Sequence, residues 1–315
     1  MNKKSKIFLT GHRGMVGTAI LNELNSNGYQ NILKKTSSEL DLRNQAAVEN
    51  LFKHERPDIV FLLAAKVGGI LANSTLKADF IYDNLMIQSN VIHSSYKYNV
   101  KKLLFMGSAC IYPKFANQPM KEEELLSGKL EESNEPYAVA KIAGIKLCES
   151  YFNQYESNFI SIMPNNLYGP NDNFDLKESH VLPALIRKMH EAKINNKPKV
   201  EVWGTGSPIR EFLYVDDLAK ASVHLIKNLD AYKLYNEMQI SHINVGSGEE
   251  ISIRDLSLLV KEIVCYDGDL FFNGKMDGTP RKYLDIKRIT DFGWKSKIRL
   301  REGIHRTYDW FKNNK

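Results

Sequence analysis

Residues 6–17, Lys6-Ile7-Phe8-Leu9-Thr10-Gly11-His12-Arg13-Gly14-Met15-Val16-Gly17, set the architecture expected of this chain. The run Lys6 to Thr10 is short, β-branched and apolar at its centre, and reads as a buried strand. Glycines follow at G-x-x-G-x-x-G spacing, and a helical pattern then runs from Thr18 to Leu24. Strand, glycine-rich turn and helix in that order make a phosphate cradle. Gly11 permits the sharp turn, Gly14 lets backbone approach a pyrophosphate, and Gly17 allows the helix to pack tightly on the strand. The helix N-terminus then faces the anion. Arg13, inside the loop, is placed to reach a phosphate, so a dinucleotide is the expected ligand.

The same alternation continues outward. Strand-like runs at 31–36, 58–65, 103–107 and 159–163 alternate with helical patterns at 44–54, about 78–98 and about 137–156. Ile81, Leu85, Ile87, Val91 and Ile92 give the helix at 78–98 a wide apolar face, which belongs in a core. Repeated strand–helix units predict an α/β fold, a Rossmann-type doubly wound parallel sheet. Beyond Pro170 the rhythm loosens. Helices are expected at 182–192, 218–229 and 301–311, and strands at 200–203 and 243–245. Ser252-x-x-Asp255 reads as a capping box for a helix ending at Val264. This half reads as a smaller C-terminal α/β substrate lobe. The expected division is 1–165 for nucleotide binding and 166–315 for substrate, with some segments of the second half returning to the first.

Among 315 residues, 43 basic and 37 acidic side chains leave a formal charge of +6. The cations are scattered and form no long run. That argues against nucleic acid and for small anionic ligands. Cys110, Cys148 and Cys265 form no CxxC and no grouping with histidine, so no metal site is expected and the thiols suit a reducing cytoplasm. No apolar run is long enough for a signal peptide or a bilayer span, so no membrane partner is expected.

The cofactor can be read more finely. An NAD-preferring site places an acid after the second strand to take the ribose 2′-hydroxyl. Here Lys34-Lys35-Thr36-Ser37-Ser38 precedes the first acid, Glu39. Lys35 and Ser37 suit a 2′-phosphate, and NADP(H) is the expected cofactor. Asp41 and Leu42 follow as adenine contacts, with Asp41 alternatively capping the helix at 44–54. Ala64 and Ala65, small residues at the third strand's end, would let the cofactor lie close to backbone.

Tyr137-Ala138-Val139-Ala140-Lys141 places a phenol and an ammonium one helical turn apart on the same face. A lysine beside a phenol lowers its pKa from about 10 towards neutrality and makes it a general acid. Ser108 stands at the fourth strand's carboxyl end, where open α/β sheets hold ligands, placed to hydrogen-bond a substrate carbonyl.

With the glycine loop, Ser108, Tyr137 and Lys141 in hand, the chain resembles the extended short-chain dehydrogenase/reductases. More narrowly, GHRGMVG at 11–17, AAKVGGI at 64–70, ACIYPK at 109–114 and NEPYAVAKIAGIKLCESY at 134–151 resemble the GDP-L-fucose synthase family. So do NLYGPNDNF at 166–174, SHVLPAL at 179–185, VWGTGSPIREFLYVDDLA at 202–219 and DGTPRKYLD at 277–285. The resemblance spans essentially the whole chain. It implies epimerisation of a GDP-4-keto-6-deoxy-mannose at C-3 and C-5, then NADPH reduction at C-4. Ser108 and Tyr137 would bind the C-4 oxygen, Tyr137 would donate the proton, and Lys141 would hold the nicotinamide ribose. Cys110 and His180 would be the epimerisation pair, a thiolate removing a proton and an imidazolium returning one. Met15, Val16, Pro164, Asn166, Leu167 and His180 would also touch the cofactor. Val181, Lys188, Trp203, Arg210, Asp277 and Lys282 would join Asn166 around the GDP-sugar.

The chain departs from the family pattern at three positions: Ala109 for a serine, Asn165 for a threonine and Asn171 for a histidine. All three should border the sugar, and the two asparagines would add or redirect hydrogen bonds. A GDP-4-keto-heptose reductase without epimerase activity is therefore an alternative, as is a nucleotide-sugar epimerase that recycles its NAD. The resemblance also implies a homodimer through the helices at 78–98 and 137–156.

Overall fold

A computed structural model describes residues 1–176, 178–275 and 277–314, with backbone only at Ile70 and Leu71. The side chain of Ile70, last in the 64–70 motif, lies outside the described ones. In chain order the strands are β1 (Ile7–Leu9), β2 (Ile32–Leu33), β3 (Ile59–Leu62), β4 (Lys102–Met106), β5 (Phe159–Pro164) and β6 (Asn166–Tyr168). They continue as β7 (Lys199–Val202), β8 (Ile209–Tyr214), β9 (Ile243–Val245), β10 (Glu250–Ser252), β11 (Asp269–Phe272) and β12 (Arg281–Lys282). The helices are α1 (Met15–Ser26), α2 (Gln45–Glu55), α3 (Ile70–Thr75), α4 (Lys77–Lys97) and α5 (Glu135–Tyr155). After them come α6 (Val181–Ile194), α7 (Val215–Asn228), α8 (Ile253–Val264), α9 (Lys287–Asp291) and α10 (Leu300–Asn314).

Six strands form one parallel sheet in the order β2-β1-β3-β4-β5-β9. Its alternation builds two cores. Ile7 and Leu9 face α1 and α7 with Ile20, Leu24, Leu218 and Leu225, whereas Phe8 faces the other side with Phe52, Val60, Val91 and Ile145. Both faces are covered by helices, as the expected doubly wound arrangement requires. A second sheet, β10-β8-β12 with β6 paired to β8, carries the other wall of the cleft described below. Its own core gathers Tyr168, Leu185, Phe212, Leu256 and Ile304.

Several local expectations change. β3 stops at Leu62 instead of Ala65, because the N–H groups of Leu63 and Ala64 turn to the Thr10 hydroxyl, 2.9 and 3.0 Å away. β2 spans only Ile32–Leu33. Residues 209–214, outside the expected strands, form the central strand of the second sheet. Asp41 does not cap α2; the Asn44 side chain does, accepting from the Ala47 N–H.

The apolar face of α4 also differs from expectation. Ile81, Leu85 and Ile87 are half-buried, while Asn84, Gln88 and Asn90 are buried beside Val91 and Ile92. These amides hold loops. Asn84 brackets the Lys66 backbone from both sides at 3.0 Å, and Asn90 donates to the carbonyls of Leu42 and Arg43. Gln88 donates to the Ala140 carbonyl of α5. A buried amide that satisfies backbone groups is stable where an unpaired one would be costly. Ser252 caps α8 as read, accepting from the Asp255 N–H at 3.0 Å, but its hydroxyl also donates to the Asp255 carboxylate.

Candidate active site

The loops after β1 and β3 lie side by side because Thr10 ties them. Its hydroxyl donates to the Phe61 carbonyl and accepts the two N–H groups named above. Gly11 holds φ at +68°, a left-handed turn open to glycine. A Cβ on Gly17 would stand 2.1 Å from the Gly11 carbonyl oxygen, so no larger side chain fits while α1 packs on β1. The α1 N-terminus therefore opens beside the turn, as an anion cradle requires. The buried Nδ1 of His12, in the same loop, has no partner within the protein.

The loop opens into a cleft of about 1440 Å³ running between the two sheets. Every candidate catalytic, cofactor-binding or substrate-binding residue lines it, from Gly11 and Lys35 at one end to Trp203 and Lys282 at the other. At the first end Lys35 and Ser37 face the cleft, whereas Glu39 turns back to accept the Thr36 N–H and hydroxyl, each at 2.7 Å. No acid is thereby offered to a ribose 2′-hydroxyl, and the cradle with its cations fits NADP(H). Asp41 also lines the cleft, but its carboxylate is taken by the Arg43 guanidinium, which bridges on to Asp83. Asp41 thus shapes that end of the cleft through Arg43.

Near the middle, Ser108, just past the end of β4, has its hydroxyl beside both the Tyr137 phenol and the Cys110 thiol, where it favours the charged form of each. One hydroxyl thus joins the expected proton donor to an expected epimerisation residue. Lys141 is buried behind them. It donates to the Met106 carbonyl at 2.8 Å and lies 5.8 Å from the Tyr137 ring centre. Burial lowers its pKa to about 8. Burial, then the neighbouring Cys110, raise the Tyr137 phenol above its ordinary 10 against the Ser108 hydrogen bond. The expectation that Lys141 draws the phenol towards neutrality is therefore corrected: desolvation dominates, and Tyr137 rests as a neutral acid.

The epimerisation pair needs a similar correction. Burial raises the Cys110 thiol, only partly offset by Lys282, Ser108 and Lys141. His180 is exposed to the cleft at the start of α6, and desolvation followed by Lys282 lowers its pKa. A neutral thiol and a neutral imidazole, not thiolate and imidazolium, are the resting state. A charge on either would face a desolvation cost.

At the far end Arg210 and Lys282, on adjacent strands β8 and β12, bring two cations into the cleft. Lys188 lies 4.8 Å from the exposed Trp203 ring. Asp277 accepts the Thr205 N–H and hydroxyl at 2.7 Å each, and so fixes the turn that follows Trp203. Ala109, Asn165 and Asn171 all border the cleft, as expected. Asn165, however, spends its amide inside the protein, on the Glu211 carboxylate and on Asn166. Of the two roles expected of it, adding or redirecting hydrogen bonds, these contacts are the second, since they turn it onto Asn166. Asn73, Asn134, Asp172 and Ser179 were not foreseen. Each lines the cleft and has a buried polar atom without a protein partner. Asn134, Asp172 and Ser179 lie inside motifs quoted above, but an unpaired atom is visible only in the packed chain.

A phosphate-cradling turn, a paired phenol and lysine, and a cleft walled by a second sheet define the class. The chain belongs to the NAD dependent epimerase/dehydratase family, whose pattern matches residues 7–246. Within that family it sits among the GDP-L-fucose synthases. It is 55% identical to GDP-L-fucose synthase 1 of Arabidopsis thaliana over 314 residues, 99% of this chain and 95% of that one. It is 53% identical to GDP-L-fucose synthase of Escherichia coli K12 over 313 residues, 99% and 98% of the two chains. Among solved structures it resembles a GDP-mannoheptose C4 reductase from Campylobacter jejuni with NADP bound. That likeness has 45% identity, a TM-score of 0.92 and 99% coverage of each chain.

Proposed function

We propose that this chain is an NADP-dependent oxidoreductase that reduces the C-4 ketone of a GDP-linked 4-keto sugar, a 6-deoxy-hexose or a heptose, and epimerises the neighbouring carbons first. The observation that carries this reading is the Ser108 hydroxyl shared between Tyr137 and Cys110. That closeness supports reading Ser108 and Tyr137 as the ketone-binding pair and Cys110 as the neighbouring carbon-acid catalyst.

When bound, NADPH supplies the hydride. Gly11, Gly14 and the α1 N-terminus would hold its pyrophosphate, Arg13, Lys35 and Ser37 its phosphates, and Lys141 its nicotinamide ribose. Ala64, Ala65, Pro164 and Leu167 would line its path. Ser108 and Tyr137 hold the C-4 oxygen. As negative charge gathers there, the neutral Tyr137 phenol gives up its proton, and the Lys141 ammonium steadies the phenolate left behind. A C-4 ketone acidifies the hydrogens on C-3 and C-5. His180, resting as free imidazole, begins as the base, and Cys110, resting as thiol, returns a proton on the opposite side. Arg210 and Lys282 neutralise the GDP pyrophosphate.

Turnover of GDP-4-keto-6-deoxy-mannose with NADPH in heavy water tests the reading, with mass spectrometry and NMR of the product. Deuterium at C-3 and C-5 of a reduced sugar is expected. Reduction without that deuterium would make the protein a simple C-4 reductase. No NADPH consumption with this substrate or a GDP-4-keto-heptose would overturn the proposal.

A homodimer through α4 and α5 is part of the same proposal. The two helices pack together and leave Tyr82, Val139 and Tyr155 exposed. Light scattering of the eluting protein checks it. Three free cysteines favour the reducing cytoplasm as its compartment. Among the described residues no helix is long and apolar enough to cross a membrane.

A further inference from the structure

Behind the cleft wall, where β5 passes into β6, lies a hydrogen-bond chain whose direction is forced at every link. It begins at Glu211, which is completely buried on β8. Its carboxylate accepts the backbone N–H of Gly248 at 2.8 Å and of Leu284 at 3.0 Å. Backbone N–H groups only donate, so these oxygens are acceptors. The third donor is the Asn165 side-chain Nδ2, which fixes the Asn165 amide with its Oδ1 turned away from Glu211. That Oδ1 accepts the Asn166 backbone N–H at 3.0 Å and the Asn166 Nδ2 at 3.1 Å. The second hydrogen of the Asn166 Nδ2 goes to the Glu211 backbone carbonyl at 2.7 Å, which only accepts. Both amide hydrogens of Asn166 are thus spent in the protein. Its Oδ1 takes no donor from the described residues, is not among the buried unpartnered atoms, and belongs to a residue lining the cleft.

We infer that Glu211 and Asn165 are positioning residues that lock the Asn166 carboxamide with its oxygen towards the ligand, so that this point of the cleft accepts a hydrogen bond and admits only a donor group. The donor is a hydroxyl of the bound sugar nucleotide, or a hydroxyl or carboxamide N–H of the dinucleotide. A phosphate or keto oxygen at the same place would meet another lone pair. This inference rests on the reading of the cleft as a site for both ligands. It assigns roles to Glu211 and Asn165 through the bonds they make to each other and to Asn166.

The chain's polarity can be broken and restored. Asn165→Val removes the acceptor that holds Asn166 and lets its amide turn. Glu211→Gln presents an amide nitrogen where acceptors are needed. The pair Asn165→Asp with Glu211→Gln reverses one link, since the introduced carboxylate can accept from the introduced amide while still accepting from Asn166. Calorimetric titrations with GDP-mannose and with NADPH, plus thermal melting, are the readouts. Each single variant should weaken one of the two ligands about tenfold, the order expected for one lost hydrogen bond, and leave the other within twofold. The double variant should recover most of that affinity over Glu211→Gln. Loss confined to GDP-mannose assigns the donor to the sugar nucleotide; loss confined to NADPH assigns it to the dinucleotide. Parallel loss of both ligands in step with melting temperature would overturn the inference, as would unaltered affinities. A folded double variant no better than Glu211→Gln would overturn it too. A wild type that binds NADPH but no GDP-mannose would weaken the functional reading instead, and the NADPH titrations would still decide this one.

Discussion

The Lys141 ammonium donates to the Met106 carbonyl oxygen at 2.8 Å, which pins it to the end of β4 and behind the Tyr137 ring. Held there by backbone, it is a fixed positive charge in a desolvated place, and burial brings its pKa down to about 8. A lowered pKa means that the ammonium loses its proton as pH rises through that value. Reduction at saturating NADPH should therefore be level below about 8 and fall above it. Lys141→Met should lower the rate on the order of 100-fold and abolish that limb. NADPH absorbance followed from pH 6 to 10 checks both, and a wild-type rate level to pH 10 would remove Lys141 from the proton step.

Tyr137→Phe keeps the ring and deletes the proton. Turnover should drop at least about 1000-fold while NADPH affinity, measured by fluorescence titration, stays within a few-fold. Residual turnover near the wild-type rate would mean that another group protonates the C-4 oxygen.

Gly17→Ala puts a methyl 2.1 Å from the Gly11 carbonyl oxygen. The contact is with backbone and cannot be relieved by a rotamer, so α1 must shift from β1. Overpacking of this kind costs about 1–3 kcal/mol, and the displaced cradle should bind NADPH at least about tenfold more weakly. Urea unfolding and cofactor titration on the same sample test the two effects together.

Preference for the phosphorylated cofactor should sit on Lys35 and Ser37, since Glu39 is turned away onto Thr36. Replacing both by alanine should raise the KM for NADPH by about 10- to 100-fold and leave the KM for NADH nearly unchanged. An equal rise for both cofactors would place the 2′-phosphate elsewhere.

Asp172 is buried in the cleft wall with one oxygen unpartnered, and burial raises its pKa from 3.8 to about 7. The folded state then holds the proton over a range where the unfolded chain has released it. Its contribution to stability is present at low pH and is lost as pH rises towards 7. Against Asp172→Asn, which cannot ionise, the wild type should lose about 2 kcal/mol between pH 5 and pH 8. Paired urea titrations at the two pH values measure that difference. A constant gap would show that the carboxyl finds a compensating partner.

Much of this protein could be read from local pattern. The glycine spacing at 11–17, the buried strand before it and the strand–helix rhythm announced a parallel sheet, because strand and helix periodicities are properties of short windows. The Tyr137–Lys141 spacing was legible for the same reason: four residues on a helix make one turn. Motifs around Cys110, His180, Arg210 and Lys282 were readable through resemblance, and the folded chain brings all of them into one cleft.

What the sequence determined by itself was the strand–helix order of the first half and the identity of the reactive side chains. Tertiary structure alone decided their state. Tyr137, Cys110 and His180 lie far apart in sequence, and only the folded cleft gives them the surroundings that shift each further towards its neutral form. Asn84, Gln88 and Asn90 carry no signal of burial in the sequence, yet they are buried because backbone groups outside their helix, on the Lys66 and Leu42 loops and on α5, offer them partners. Asn165 looked like a sugar contact and is instead a link between Glu211 and Asn166. Desolvation and hydrogen-bond partnership depend on what surrounds a group in three dimensions, and those neighbours come from segments that no local pattern connects.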